Sequence, residues 1–88
     1  MAVAGCVRGR VQGVSFRYSM QQTATELRVA GWVRNLQDGS VAFHAEGPRD
    51  AVDALLSWSR SGPAFARVDE LDVEPCDVAR LDSFVVLP

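Results

Sequence analysis

The order of apolar and polar residues divides the first third of the chain into a strand followed by a helix. From Val3 to Val11 the side chains alternate with a period of two, which predicts a strand that ends at Gln12-Gly13. A helix is predicted from about Arg17 to Ala30, with Gly31 as its left-handed C-terminal cap. The apolar residues that recur there at helical spacing are Met20, Ala24 and Leu27.

The middle of the chain carries the pattern of a hairpin. The segments 32–36 and 41–46 read as strands, and residues 37–40 between them, Gln-Asp-Gly-Ser, contain the Asp-Gly pair typical of a tight turn. We therefore predict two antiparallel strands, Trp32 to Leu36 and Val41 to Glu46.

A second helix is predicted after the hairpin. Gly47-Pro48 opens it, with Pro at its first position and Asp50 in its first turn, and Gly62-Pro63 ends it. The residues of its buried stripe are Val52, Leu55 and Leu56.

Two further strands complete the pattern. From Val68 to Glu74 apolar residues alternate with acids, and Phe84 to Leu87 forms a short final strand. The order strand, helix, strand, strand, helix, strand is typical of the ferredoxin-like split βαβ sandwich, an α+β fold. We expect an antiparallel sheet with two helices on one face, built from residues 1–88 as a single domain.

Charge is distributed unevenly along the chain. Residues 1–36 contain five Arg and one acid, whereas residues 37–88 contain four Arg and ten acids, although the net charge is only −2. The first third is therefore suited to an anion. Because all nine basic residues are Arg, mechanisms that need a lysine Schiff base or a P-loop lysine are excluded.

The composition also argues against several classes of protein. A pI near 5.2 lacks the basic surface of a nucleic-acid binder. Two widely spaced cysteines, without a C-x-x-C pair, predict reduced thiols in a cytoplasmic protein rather than a disulfide scaffold or a zinc site. No signal-peptide pattern or long apolar run is found, so we expect neither secretion nor membrane spanning.

The turn after the first strand is the strongest candidate for a binding site. In a right-handed βαβ unit the strands before and after the helix are parallel, so the turn Gln12–Arg17 and Asn35 lie at the same edge. Backbone amides in a glycine turn before a helix can bind an anion, and the fork of Arg17 can meet two phosphate oxygens. Taken alone, the turn is a weak signal, and a plain strand-to-helix connection with a solvated Arg17 is the more common interpretation of such a turn.

Three segments together resemble the acylphosphatase family: residues 9–17, GRVQGVSFR; residues 31–36, GWVRNL; and residues 38–41, DGSV. The resemblance covers nearly the whole chain in order. It implies a ferredoxin-like fold and a backbone phosphate cradle at Gln12, Gly13, Val14, Ser15, Phe16 and Arg17. It further implies that Arg17 is the catalytic, substrate-binding arginine and that Asn35 positions the attacking water, with no cofactor and no metal.

The chemistry of an acyl phosphate agrees with so sparse a set of residues. Its carboxylate leaving group has a conjugate-acid pKa of about 4 and can depart unprotonated. The loose transition state of phosphoryl transfer requires positioning and electrostatic stabilisation more than a general base. The expected activity is therefore metal-independent hydrolysis of an acyl phosphate to a carboxylate and inorganic phosphate by a monomeric, free-standing enzyme.

Two alternatives remain open from the sequence. One is a non-catalytic phosphate-binding or anion-binding module of the same fold. The other is an enzyme whose preferred substrate is a related mixed anhydride such as carbamoyl phosphate.

Other candidate residues are assigned structural or surface roles. His44, the only histidine, is expected on the surface or half-buried, on the face opposite Phe43. The acids between Asp69 and Asp77 are expected to form the wet face of a strand rather than a metal site. Cys6 and Cys76 are expected to be inert, and both tryptophans are expected to be packing residues.

Overall fold

The computed structural model describes residues 1–88 as two helices and five strands, in the order that the sequence predicts. The elements are β1 (Ala2–Arg10), α1 (Phe16–Leu27), β2 (Ala30–Asn35), β3 (Val41–Glu46), α2 (Arg49–Ser59), β4 (Arg67–Pro75) and β5 (Phe84–Val86). None of the helices has the length and apolar character required to cross a bilayer.

The strands form one sheet in the order β4-β1-β3-β2-β5. Both β1 and β2 pair antiparallel with β3, so they run in the same direction, as predicted for a βαβ unit. The sheet is antiparallel as predicted over β4, β1, β3 and β2, and it is mixed because the short strand β5 pairs parallel with β2. Residues 76–83, here called the crossing segment, carry the chain between the two edge strands and decide this direction. The three-residue apolar run of β5 contains no signal for the direction of that strand.

Both helices contribute to a single apolar core on one face of the sheet. From α1 and α2 come Phe16, Met20, Ala24, Val52 and Leu55, and from the sheet come Val3, Val7, Val33, Val41, Phe43 and Ala45. Gly5 allows this packing, because a Cβ there would lie 2.1 Å from the Phe43 ring. The predicted helical stripes therefore form the core, although Leu56 is only half-buried.

The first helix ends earlier than the glycine pattern predicts. Its C-cap is Arg28, with φ of 60°, and the amides of Arg28 and Val29 donate to carbonyls of the last helical turn. Gly31 instead lies inside β2 with φ of 154°, where a Cβ would lie 1.8 Å from the His44 carbonyl oxygen. The prediction that Gly31 caps the helix is therefore wrong, since this glycine serves a close approach between strands.

The remaining boundaries agree with the sequence pattern to within one or two residues. The hairpin turn is closed by the Leu36 amide donating to Ser40 and the Gly39 amide donating to Leu36. Two hydrogen bonds from Ser40, donated by its hydroxyl and its amide, lower the pKa of the Asp38 carboxyl. Pro48 is the N-cap of α2 rather than its first helical residue. The acids of β4 are exposed, which confirms its predicted wet face.

His44 differs from its prediction, because it is buried, with only 8% of its surface exposed. It lies on the helix-free face, opposite Phe43 as expected, where Trp32 stacks on it with ring centroids 6.4 Å apart. Its Nε2 lies 2.7 Å from Glu46 Oε1, and its Nδ1 lies 3.5 Å from Cys76 Sγ. Contacts across the sheet, and not strand alternation, bury this residue.

Glu46 holds the crossing segment against the sheet. Its two carboxylate oxygens accept hydrogen bonds from the amides of Ala79 and Leu81, at 2.8 and 3.0 Å. Burial opposes ionisation of Glu46, but the hydrogen bonds from His44 and from these two amides outweigh burial and lower its pKa to about 2. By contrast, burial and the nearby carboxylates Asp77 and Glu46 raise the pKa of the Cys76 thiol. Cys76 is thus held as a thiol, in keeping with an inert cysteine.

The lowered pKa of Glu46 predicts an acid-sensitive contribution to stability. A carboxylate with a depressed folded-state pKa stabilises the fold above its unfolded value, 4.5, and loses that contribution as the pH falls toward about 2. We expect Glu46→Gln to lower the free energy of unfolding at neutral pH. The gap from the parent should narrow between pH 4.5 and pH 2, measured by urea denaturation.

Glu26→Gln provides the control, because Glu26 is exposed on α1. Its pH profile should run parallel to that of the parent. A gap between Glu46→Gln and the parent that stayed constant down to pH 2 would contradict the assigned role of Glu46.

Candidate active site

The connection between β1 and α1 presents a row of main-chain amides. Gly13 and Ser15 both adopt left-handed conformations, with φ of 74° and 62°. The amides of residues 12–15 donate to no acceptor within the protein. The next amides belong to the first turn of α1, where N–H groups have no intrahelical partner and the helix dipole is positive. This curled backbone is suited to an anion.

Gln12 attaches this loop to the hairpin. Its Nε2 donates to the carbonyl oxygens of Leu36, at 2.7 Å, and Ser40, at 2.8 Å. The side chain is therefore committed to holding the loop in place, and only its main chain is free to meet a ligand. This bridging role has no signal in the sequence, because it joins residues that are far apart in the chain.

Arg17 lies in the first turn of α1 and is half-buried. Its Nη1 donates to the carbonyl oxygen of Leu87 at 2.8 Å, and no carboxylate lies within ion-pair distance of its guanidinium. The neutral carbonyl orients the guanidinium without cancelling its charge. The remaining donors can therefore meet an anionic ligand.

Arg17 and Asn35 line the same cleft, as the topology of the βαβ unit predicts. The cleft has a volume of about 280 Å³ and is lined by Val11, Gly13, Ser15, Phe16, Arg17, Tyr18 and Asn35. Of the residues predicted to bind phosphate, Gln12 and Val14 do not line it. The structure thus brings together four residues of the loop prediction and Asn35.

Asn35 has an unusual hydrogen-bonding state. Its Oδ1 is buried and has no hydrogen-bond partner within the protein. Buried polar side-chain atoms in proteins nearly always have a partner, so an isolated acceptor beside a cleft indicates a group held for a ligand or a water molecule. Asn35 is the last residue of β2, and its backbone position is fixed by pairing with Val41.

The charge of the cleft is set by one residue. Apart from the Tyr18 phenol, Arg17 is the only ionisable side chain that lines the cleft. The lining contains no acid, histidine or cysteine. Such a site can bind and stabilise negative charge, but it has no carboxyl, imidazole or thiol group for general acid–base or thiol catalysis. His44 belongs to a different face and does not line the cleft.

A second cleft, of about 390 Å³, lies beside the crossing segment. Its lining residues include Arg28, Glu46 and Gly47. The carboxylate of Glu46 already accepts hydrogen bonds from the crossing segment and so has structural partners. This cleft lies at the opposite end of β2 and β3 from the cleft that contains Arg17 and Asn35.

A ferredoxin-like fold with an arginine, an asparagine and free amides at one sheet edge defines a class of small phosphate-handling proteins. Comparison with known proteins agrees. The acylphosphatase family model matches residues 3–86. An acylphosphatase from Methylococcus capsulatus is 52% identical over 82 residues, covering 92% of this chain and 89% of the relative. Another from Nocardioides sp. is 51% identical over 85 residues, covering 97% and 86%.

The comparison of structures leads to the same family. The crystal structure of acylphosphatase from Bacillus subtilis superimposes with a TM-score of 0.95 at 34% identity, covering 99% of this chain and 98% of that one. The chain belongs to the acylphosphatase family, and it is an enzyme that hydrolyses acyl phosphates. The predicted family, fold class and enzyme class are thus confirmed.

Proposed function

We propose that the loop Gln12–Arg17 binds the phosphoryl group of the substrate, that Arg17 stabilises its charge and that Asn35 positions the attacking water, without a metal or cofactor. The observation that carries this assignment is that Arg17 and Asn35, whose Oδ1 has no hydrogen-bond partner, line the same cleft. The unpaired amides of the loop support it.

The phosphoryl group has three oxygens that share its negative charge. The amides of Gly13 and Ser15 and the first amides of α1 are donors that need no rearrangement to meet such an anion. Arg17 adds a full positive charge and a planar pair of donors. Gln12 contributes by holding this loop against the hairpin.

Asn35 suits the role of orienting water. An amide oxygen accepts a hydrogen bond from an O–H of water, which leaves a lone pair of the water oxygen free to approach phosphorus. The transition state of phosphoryl transfer is loose, with little bond formation to the nucleophile, so a neutral group that positions water is sufficient. As the bond from the water oxygen to phosphorus forms, the bond from phosphorus to the bridging oxygen breaks and the carboxylate departs, and the water proton passes to an oxygen of the phosphate product.

The leaving group explains why a general acid is not needed. The carboxylate that departs is the conjugate base of an acid with a pKa of about 4, so it leaves as a stable anion. An alkyl phosphate monoester would release a far more basic alkoxide and would require protonation or metal ions. The cleft has no carboxyl or imidazole group for such protonation, and the chain has no cluster of metal-ligating side chains, which supports acyl phosphates as the substrate class.

We propose further that residues 1–88 act as one monomeric domain in the cytoplasm, with acyl phosphates and inorganic phosphate as ligands and no nucleic-acid partner. The single apolar core shared by both helices and the sheet supports one domain. The unpaired thiols of Cys6 and Cys76 support a cytoplasmic location. The pI near 5.2 argues against a nucleic-acid partner.

The mechanism predicts turnover that is independent of metal ions. Release of phosphate from acetyl phosphate should proceed at the same rate in excess EDTA as in its absence, because charge stabilisation comes from Arg17 and the amides. Phosphate release is followed colorimetrically after the protein has been dialysed against chelator. A rate that fell with EDTA and returned with added Mg²⁺ would contradict the proposal.

Replacing the guanidinium of Arg17 should weaken phosphate binding and lower the rate of hydrolysis. We expect Arg17→Ala to lower kcat/KM for acetyl phosphate by at least about 10³-fold, since it removes the one charge of the cleft. It should also weaken competitive inhibition by inorganic phosphate. Arg17→Lys should recover only part of this loss, because an ammonium lacks the planar fork. Full inhibition by phosphate in Arg17→Ala would overturn the assignment.

Replacing the amide of Asn35 should affect turnover more than binding. We expect Asn35→Ala to lower kcat by about 10²-fold with little change in inhibition by phosphate, because the phosphate contacts remain in place. Gln37→Ala, an exposed amide in the neighbouring turn, is the matched control and should keep the parent rate. If Asn35→Ala kept full turnover, Asn35 would not position the water.

A further inference from the structure

Tyr18 supplies the only free apolar surface in the catalytic cleft. Its side chain follows Arg17 in the first turn of α1 and is 63% exposed. The other large apolar side chains of the lining, Val11 and Phe16, are each only 1% exposed and belong to the core. Any apolar part of a substrate that enters this cleft therefore has the Tyr18 ring as its available partner.

The ring also lies close to the phosphate-binding group. The guanidinium carbon of Arg17 is 5.9 Å from the centroid of the Tyr18 ring. A phosphoryl group held by Arg17 and the loop amides is joined to the acyl carbonyl through a single bridging oxygen. The acyl group of the same substrate must then lie within a few ångströms of this cation and its neighbouring ring.

We propose that Tyr18 forms the acyl-group subsite of this enzyme and favours acyl phosphates with a flat aromatic acyl group, such as benzoyl, over acetyl. The inference rests on the proposed placement of the phosphoryl group on Arg17 and the loop. A planar acyl group can pack face to edge or offset on the Tyr18 ring and shield both from water. A methyl group is too small to cover the ring to the same extent.

Two other roles for Tyr18 make different predictions. If the ring served only to hold Arg17 in place, its removal would reduce turnover of all acyl phosphates equally. If the phenol hydroxyl donated to the departing carboxylate, Tyr18→Phe would be as defective as Tyr18→Ala. The packing role alone predicts a substrate-dependent loss that Phe restores.

The test is a comparison of kcat/KM for benzoyl phosphate and acetyl phosphate in the parent, Tyr18→Ala and Tyr18→Phe. We expect Tyr18→Ala to lower the benzoyl-to-acetyl ratio about fivefold, mainly through KM for benzoyl phosphate, and Tyr18→Phe to keep the parent ratio. Phe65→Ala is the matched control, because Phe65 is an aromatic residue that is 83% exposed and does not line the cleft.

The outcomes separate this inference from the proposed function. An unchanged benzoyl-to-acetyl ratio in Tyr18→Ala, which means an equal loss or no loss on the two substrates, would overturn the acyl subsite. A ratio that fell in Tyr18→Phe as much as in Tyr18→Ala would also overturn it. The proposed function is tested by a different variant. Full activity in Arg17→Ala would overturn the proposed function, whereas the benzoyl-to-acetyl ratio of the Tyr18 variants tests only the acyl subsite.

Discussion

Unpaired main-chain amides between β1 and α1 are the feature on which the site depends. These amides have no partner within the protein, and the loop that carries them is kept in position by the two hydrogen bonds that Gln12 donates to the β2–β3 hairpin. Left-handed conformations at Gly13 and Ser15 give the loop its curl. Because these donors are fixed before a substrate arrives, little reorganisation is required when it binds.

The small number of functional side chains follows from the reaction. An acyl phosphate has a good leaving group, and phosphoryl transfer requires charge stabilisation more than proton transfer. One guanidinium, a set of amides and one amide side chain are therefore sufficient, and an 88-residue chain can supply them from a single sheet edge. The Leu87 carbonyl that orients Arg17 shows that the residue directly after β5 also contributes to this site.

The two ends of the central strands have different roles. At one end Arg17 and Asn35 keep donors and acceptors free for a ligand. At the other end Glu46 uses its carboxylate to hold the crossing segment and His44, and its lowered pKa reflects these bonds. Polar side chains that keep hydrogen-bonding groups free thus serve ligand binding, and polar side chains with partners inside the protein serve stability.

Local patterns in the sequence determined the order of the elements, the hairpin, the wet face of β4 and the loop that ends in Arg17, because each depends on neighbouring residues and a fixed period. The resemblance of its motifs to a known family added the roles expected of Arg17 and Asn35. Only the tertiary structure decided the parallel direction of β5, the strand position of Gly31 and the burial of His44. It likewise decided the bridging by Gln12, the carbonyl partner of Arg17 and the exposure of Tyr18 beside it. Each of these results from contacts between residues that are distant in the chain, and no local period encodes such contacts.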